Sequence, residues 1–334
     1  MRTSNGHEHE HERDGRAALW GAAVLTAMAA AAGFSAPARA QAQPQDMQRP
    51  HLADHVFLTT NIVPDAFVNT YVRSSLGQAR TLNLNYPALV VHGDTLATLS
   101  AEQVSAILEF EYQNAVKDWI AVRAKVEVIG RLGTQLASLV EEGVTVASGF
   151  DFGWQARLHE SRSTMLCGTL DVSNRTYSII DPRQFAEDVA AGVPNPQLTD
   201  DVPVVRSRGG ARFAWAVNRP FGITLLTEGS YGETPWRSQS NTWEYSLGAS
   251  VDFDAGAAWG IPVGAALAYR QTSLPDLSTS SKDIGRSTIL RVAYTGERDF
   301  IIGVDFMGLF NSEEAQNNRT IVSGGGTLTL LYYF

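Results

Sequence analysis

The sequence predicts an all-β fold: a transmembrane, antiparallel, up-and-down β-barrel of about twelve strands. Between residues 79 and 334, apolar and polar residues alternate in successive segments, and a strand places alternate side chains on opposite faces. The apolar face carries no charge in any strand core, as expected for a face in lipid, where Arg or Lys costs about 2–4 kcal/mol. Long and short connections alternate between these segments, which is typical of barrels with external loops and short periplasmic turns.

Residues 1–40 have the features of a secretory signal peptide. Arg13 and Arg16 precede an Ala-rich apolar run at 17–32, and Ala38-Arg39-Ala40 supplies a small-x-small pattern for cleavage after Ala40. Cleavage there leaves 294 of the 334 residues, which is ample for one barrel.

The composition argues against several partners and cofactors. The net charge is −9 and stays −9 after cleavage, with 22 basic and 31 acidic residues remaining, so nucleic acid is not an expected partner. The single cysteine, Cys167, has no partner for an intramolecular disulfide. A His/Glu run at 7–12 lies in the segment to be removed, and we therefore predict no metal site and no cofactor.

Residues 41–78 are expected to form an N-terminal plug or a periplasmic tail. The segment begins with a Gln/Pro-rich tract and continues with short apolar clusters at 56–58, 62–63 and 67–68. Pro64 and Asp65 interrupt these clusters, and no periodicity is sustained. The apolar content favours a plug in the barrel mouth, and the tail remains the alternative.

About twelve segments carry the strand alternation. They lie at 82–86, 109–113, 120–128, 144–158, 166–172, 205–217, 221–228, 243–254, 261–270, 290–294, 300–311 and 326–334. Pro87 is expected to end the first strand, so that residues 88–106 form a loop. The longest connection, 174–204, contains a helix-like pattern at 183–191 and is expected to fold over or into the barrel mouth.

Aromatic residues fall near both ends of the predicted strands, as they do in the girdles at the two membrane interfaces. One set comprises Trp119, Phe221, Trp259, Tyr294 and Phe300. The other comprises Tyr231, Trp243, Tyr269 and Phe310.

The chain ends on a strand with one apolar face, formed by Leu328, Leu330, Tyr332 and Phe334. This ending resembles the C-terminal assembly signal of Gram-negative outer-membrane β-barrels, which has a final Phe with apolar or aromatic residues at alternate positions before it. The resemblance implies an outer-membrane location. It also implies the barrel-assembly machinery, outer-membrane lipid and lipopolysaccharide as partners.

The predicted inward faces carry both charges. The candidate lumen or constriction residues are Arg123, Lys125, Glu127, Asp151, Asp171, Arg206, Arg208 and Arg212. Such side chains either cross-link a narrow barrel internally or set the field along a solute pathway, and the sequence leaves both interpretations open.

A more specific cluster is expected at the external constriction. A turn centred on Ser161 would place Asp151 opposite Asp171 on neighbouring strands, near Arg208. Two adjacent carboxylates repel unless cations neutralise them, and arginines bind carboxylates bidentately. We therefore expect a carboxylate–guanidinium cluster that acts as a selectivity element or an internal strut.

The segment His159-Glu160-Ser161-Arg162-Ser163, with Asn174 after it, resembles the His-x-Ser and later Asn of outer-membrane phospholipase A. The Asn-Gly that follows the Ser in that family is Arg162-Ser163 here. The predicted topology places His159 in a periplasmic turn, whereas that family acts at the outer leaflet. We predict that the chain is not an enzyme.

The layout resembles that of the fatty-acid channel family and of transporters found with phenol-degradation pathways. Asn85-Tyr86-Pro87-Ala88 resembles the Asn-Pro-Ala of fatty-acid channel plugs, with one inserted Tyr. The resemblance implies passive uptake of small molecules, including hydrophobic or aromatic ones, and identifies no binding residues. The alternative is a non-conducting barrel that serves as an anchor, adhesin or structural protein.

Overall fold

The computed structural model describes residues 49–91, 94–133, 144–180, 187–194, 199–234, 241–275, 282–313 and 319–334. Within these residues, twelve antiparallel strands close into a barrel in which each strand pairs with its neighbours in sequence and β14 pairs with β3. The barrel strands are β3 (Tyr71–Val91), β4 (Asp94–Lys117), β5 (Ile120–Gly133), β6 (Val144–Glu160), β7 (Thr164–Ile180), β8 (Thr199–Ala216), β9 (Phe221–Gly232), β10 (Thr242–Asp254), β11 (Val263–Pro275), β12 (Lys282–Tyr294), β13 (Phe300–Glu313) and β14 (Arg319–Tyr333). The predicted up-and-down barrel of about twelve strands is confirmed.

One end of the barrel, the short-turn end, carries the brief connections that the sequence predicts. The shortest joins Lys117 to Ile120, and another contains a single helix, α1 (Ala255–Trp259). Asp254 caps α1 by accepting a hydrogen bond from the Gly256 N–H, and Gly260 ends it at φ 72°, a conformation that favours glycine. No helix among the described residues is long and apolar enough to cross a membrane. We call the opposite end the long-loop end.

The outer surface is apolar, as the alternation predicts. On β14, Leu328, Leu330, Tyr332 and Phe334 are 41–49% exposed, while Thr327, Thr329, Leu331 and Tyr333 are buried inside. Eight of the nine predicted girdle residues are exposed on this surface, and Phe300 is half-buried. In water so much contiguous apolar surface would be unfavourable, and in lipid it is the stable arrangement.

The first hairpin of the barrel is longer than predicted. β3 begins at Tyr71, eight residues before the predicted boundary at 79, and it pairs with β4 through Val91 and Asp94. The predicted loop at 88–106 is therefore wrong. Pro87 pairs with Thr98 beside a register shift, so an irregular strand accommodates the proline. The stretch 85–88 lies in β3 and does not belong to a plug.

The alternation of apolar and polar residues does not mark the full length of β3 and β4, and the reason is physical. Ser74 and Gln78 interrupt the outward apolar set at the start of β3, and residues 94–104 carry few large apolar side chains. Strands of 21 and 24 residues exceed the roughly 9–11 that span a bilayer, so their far ends are free to lose the pattern. Ser74 pairs with the exposed Phe110 and Leu330, and it is a polar interruption within the apolar band.

The longest predicted connection, 174–204, is also shorter in the structure. β7 continues to Ile180 and β8 begins at Thr199. Between them, residues 187–190 form a single helical turn in which the Ala191 N–H donates to the Glu187 carbonyl. The remainder of the predicted helix-like stretch lies outside the described residues, as do the predicted signal peptide and the His/Glu run.

Candidate functional site

Residues 49–70, which we call the inner segment, lie against the inward face of the barrel. They begin with two short strands, β1 (His51–Leu52) and β2 (His55–Val56), which pair with each other across a turn where Ala53 and Asp54 have positive φ. After Val56 the segment has no regular secondary structure before β3 begins at Tyr71.

Apolar side chains of the inner segment pack against three patches of the wall. The first cluster joins Leu52, Phe57, Ala66 and Phe67 to Met165, Cys167, Ala214 and Ala216. The second joins Leu58 to Tyr71, Ala266, Ala293, Ile301, Leu331 and Tyr333. The third joins Val63 to Leu226 and Ala268. Half of these twelve wall residues have small side chains, which leaves room inside a narrow barrel.

Inward glycines provide further room for the segment. A Cβ at Gly222 would lie 2.3 Å from His55 Nε2, and one at Gly264 would lie 2.5 Å from Leu58 Cδ1. A Cβ at Gly248 would lie 3.0 Å from Val63 Cγ2. These glycines therefore indicate, in the sequence itself, where the inner segment lies against the wall.

Polar side chains of the wall bind the backbone carbonyls of the inner segment. The bonds are Arg291 to Thr59, Arg270 to Ile62 (3.5 Å), Arg212 to Asp65 (3.2 Å), Cys167 to Ala66 (2.7 Å), and Gln155 and Gln113 to Phe67 (2.9 and 3.0 Å). A buried carbonyl without a partner is costly, and an irregular segment cannot satisfy its own. Side chains of the wall thus supply the hydrogen bonds that regular secondary structure would otherwise supply.

His55 fastens the segment near the short-turn end. Its Nε2 lies 2.5 Å from Asp252 Oδ1, and its Nδ1 lies 2.9 Å from the Arg219 carbonyl. Both partners are acceptors. A neutral imidazole has one N–H and can donate to one of them, whereas the protonated ring donates to both.

Asp65 is the buried carboxyl group of the inner segment. Burial raises its pKa to about 6, against the smaller opposing effects of the Phe67 N–H and the Arg212 guanidinium. The Phe67 N–H donates to Asp65 Oδ1 at 3.2 Å. The charged form of Asp65 is thus unfavourable in this position.

The predicted lumen residues on β5 and β6 form a connected set of ion pairs. Arg123 donates to Asp171 at 2.7 Å, and Lys125 Nζ lies 2.7 Å from Glu109 and 3.5 Å from Glu127. Arg73, assigned from sequence to the N-terminal segment, binds Glu109 and Glu111. The sequence missed Arg73 because the start of β3 was placed too late.

Asp151 does not lie opposite Asp171, contrary to the prediction. A register shift between Arg157 and His159 makes Asp151 pair with Ser173, and Asp171 pair with Gly153. Arg208 nevertheless lies between the two carboxylates, 3.5 Å from Asp151 and 3.7 Å from Asp171. The turn is centred between Arg162 and Ser163 and not on Ser161, since Glu160 pairs with Met165, and this later centre changed the predicted direct pair into a diagonal one.

The three arginines of β8 have different surroundings. Arg206 lies 3.2 Å from Glu244 and donates to the carbonyls of Glu233 and Thr242. Arg212 is buried, donates to Gln155 at 2.7 Å and reaches the inner segment. Arg208 lies midway along the strand, so the three do not form one cluster at the external constriction.

Exposure of the charged side chains changes along the barrel axis. Near the inner segment, Arg212, Arg291 and Asp305 are at most 1% exposed. On the long-loop side, the side chains of Arg175 and Arg208 are 41% and 17% exposed. The charged side chains are therefore buried near the inner segment and more exposed to solvent on the long-loop side.

His159, Ser161 and Asn174 do not form a catalytic unit. Ser161 is exposed in the turn, where its Oγ bonds Thr164 Oγ1 at 2.7 Å and accepts from the Thr164 N–H. His159 pairs with Leu166, eight residues along β7 from Asn174, or about 27 Å. The described residues also contain no group of His, Cys, Asp and Glu that could hold a metal ion.

Comparisons with known proteins extend this picture at the level of the fold. No family model and no curated protein matches the chain. Among solved structures, the chain resembles an outer membrane channel from Pseudomonas putida F1, with 9% identity and a TM-score of 0.52 over 88% of this chain and 100% of that one.

Two further barrels match at lower TM-scores. The translocator domain of the autotransporter NalP from Neisseria meningitidis is 8% identical, with a TM-score of 0.49 over 81% of this chain and 90% of that one. The Pseudomonas putida toluene transporter TodX is 8% identical, with a TM-score of 0.38 over 79% and 89%. The likeness to the channel from Pseudomonas putida F1, at 9% identity, indicates a shared fold and nothing about solutes.

Proposed function

We propose that the chain is an outer-membrane channel for passive uptake of small molecules, and that the inner segment plugs its lumen. The single observation that carries the proposal is where the inner segment lies. A purely structural barrel can fill its interior with side chains of its own wall. Here a separate segment packs against the inward face of the wall, while charged side chains on the long-loop side are exposed to solvent.

The apolar surface and the fold support an outer-membrane location. An apolar outer band with aromatic ends suits a bilayer, and the barrel of similar fold from Pseudomonas putida F1 is an outer membrane channel. Residues 1–40 would direct export and be removed after Ala40. The short-turn end would then face the periplasm, and the C-terminal strand would engage the barrel-assembly machinery among lipid and lipopolysaccharide.

Small hydrophobic or aromatic molecules are the first solutes to test, because the sequence layout resembles channels for such compounds. The rival function, a non-conducting anchor or adhesin, also has an observation in its favour. The ion pairs and carbonyl contacts around the inner segment are buried and short enough to act as permanent struts. A channel requires that the inner segment can move out of the lumen, whereas a non-conducting barrel requires that it stays in place.

Planar-bilayer recordings separate the two functions. Deletion of residues 49–68 should raise the single-channel conductance. Ala66→Cys should allow a disulfide with Cys167, whose Sγ lies 2.7 Å from the Ala66 carbonyl oxygen. Oxidation should then hold the segment in place and suppress opening, and a reductant should restore it.

The control for the cross-link is Ala66→Cys combined with Cys167→Ala, which should not respond to oxidant. Folding of each variant is checked by heat-modifiable electrophoretic migration. A folded deletion variant that conducts no current would favour the non-conducting barrel.

A further inference from the structure

Two guanidinium groups converge on one carboxylate oxygen on the long-loop side of the lumen. Arg208 Nη2 and Arg175 Nη2 lie 3.5 and 3.7 Å from Asp151 Oδ2. Lys125 is the register partner of Asp151 on β5. Three cations therefore surround one acid at this point of the wall.

The contacts of Arg208 are longer than those of the arginines near the inner segment. Arg291 binds Asp305 with two bonds of 2.6 Å, whereas the closest carboxylate oxygens to Arg208 are at 3.5 and 3.7 Å. A charge-assisted N–H···O bond measures about 2.7–2.9 Å. The Nε of Arg208 has no hydrogen-bond partner in the part of the chain that the structure describes.

Lys125 and Arg208 are more exposed than the two acids of β6 and β7. Asp171 Oδ1 lies beside Gly153, where a Cβ would be 2.1 Å from it. The side chains of Asp151 and Asp171 are 8% and 1% exposed, against 15% for Lys125 and 17% for Arg208. The carboxylates of Glu127 and Glu244 are 22% and 21% exposed, so solvent on this side meets charges of both signs.

We propose that Arg208, flanked by Arg175 and Lys125, binds the carboxylate group of a small organic anion. This site deepens the proposed function, since it lies on the long-loop side of the same lumen. A guanidinium presents a planar fork that matches a carboxylate. The long contacts of Arg208 with Asp151 and Asp171 hold this guanidinium less firmly than the short bonds that hold Arg291. Asp151 and Asp171 offset part of the positive charge, which lets a solute leave as well as enter.

Isothermal titration of benzoate into the folded, detergent-solubilised protein tests the site without requiring conductance. The wild type should bind benzoate, and Arg208→Gln should weaken binding about tenfold or more, because a charge-assisted bidentate contact is lost. Arg208→Lys should give an intermediate affinity, since it keeps the charge and loses the fork. Benzyl alcohol, which lacks the charge, should not compete.

The matched control is Arg157→Gln, which removes the same charge at the short-turn end, where Arg157 contacts Asp118 and Glu160. Its benzoate affinity should equal that of the wild type. Absence of benzoate binding in the wild type, or equal affinity in the wild type and Arg208→Gln, would overturn the site.

Bilayer recordings of the same proteins keep the two proposals apart. Binding of benzoate without any conductance would refute the channel and leave the site standing. Conductance without benzoate binding would refute the site and leave the channel standing.

Discussion

Cys167 is the most useful single residue for following the inner segment, because it is the only cysteine and is buried beneath the Ala66 carbonyl. A thiol in this position reacts with a maleimide only when the segment moves away from the wall. The labelling rate therefore reports the fraction of time for which the segment is undocked.

We predict that Asp65→Asn slows Cys167 labelling at pH 7.5. The pKa of Asp65 is raised from 3.8 to about 6 when docked, so the docked state binds protons more strongly than the undocked state. Docking is therefore weakest above pH 6 and strengthens as the pH falls from about 6 toward 4. Two pKa units correspond to about 3 kcal/mol, and the neutral amide should recover most of it.

The comparison is made at a single pH, so that the ionisation of the thiol is the same in both proteins. Asp65→Glu serves as the control, since it keeps the charge. Labelling of Asp65→Asn as fast as the wild type would show that burial of Asp65 does not oppose docking.

A second prediction concerns the inward glycine nearest the His55 contact. Gly222→Ala should speed Cys167 labelling severalfold, because its Cβ would lie 2.3 Å from His55 Nε2 and 2.8 Å from Phe57 Cε1. Phe57 belongs to the apolar cluster that covers Cys167. Gly209→Ala is the control, since the nearest atom to its Cβ is 3.8 Å away. Equal rates in the two variants would contradict a tight fit at Gly222.

At the scale of elements, β14 closes the barrel between β13 and β3. The Phe334 N–H donates to the Thr70 carbonyl, and the Phe334 ring stacks on Tyr112 with centroids 6.4 Å apart. The last residue thus contacts both the start of β3 and the outer surface of β4.

We predict that deletion of 319–334 leaves the protein unfolded, because β13 and β3 would present unpaired backbone groups to lipid. Phe334→Ala should have the same effect through loss of the proposed assembly signal. Phe310→Ala, which alters an exposed aromatic on the same outer surface, is the control. Heat-modifiable migration and membrane extraction measure the outcome, and normal insertion of the truncated chain would disprove the closing role.

Strand faces could be predicted from the sequence, and strand ends could not. Val122 and Ala124 lie outward and Arg123 inward, as their parity requires, because lipid and lumen demand opposite side chains at alternate positions. The ends of β3 and β4 extend beyond the region where that demand applies. The path of residues 49–70 depends on contacts with strands around the whole barrel, and the inward glycines are the part of the sequence that marks it.

The candidate site likewise has features that the sequence predicts and features that it does not. Arg206, Arg208 and Arg212 point into the barrel, as predicted, yet their partners depend on register and on the inner segment. A turn centred later than Ser161 moved Asp151 away from Asp171. Sequence parity locates a residue on a face, whereas contacts within that face require the exact pairing.

At the scale of the whole molecule, we predict that two neighbouring arginines have different effects on ion flow. Arg208→Ala should shift the reversal potential in a salt gradient toward cations, because it removes an accessible positive charge. Arg212→Ala should instead raise the frequency of opening, because Arg212 holds Asp65 and Gln155.

Both variants are compared with Arg157→Ala under the same gradient. Identical reversal potentials in all three proteins would remove Arg208 from the ion pathway. An unchanged opening frequency in Arg212→Ala would remove its proposed hold on the plug.

The inner segment starts and finishes at the same end of the barrel. Arg49 donates to the Thr295 carbonyl at that end, and Thr70 leads directly into β3. A loop anchored in this way can slide out without threading a terminus through the pore and without breaking a strand pair. Its tether keeps it beside the opening at millimolar effective concentration, so re-entry is a unimolecular step. Closing should therefore follow single-exponential kinetics with a rate independent of protein concentration.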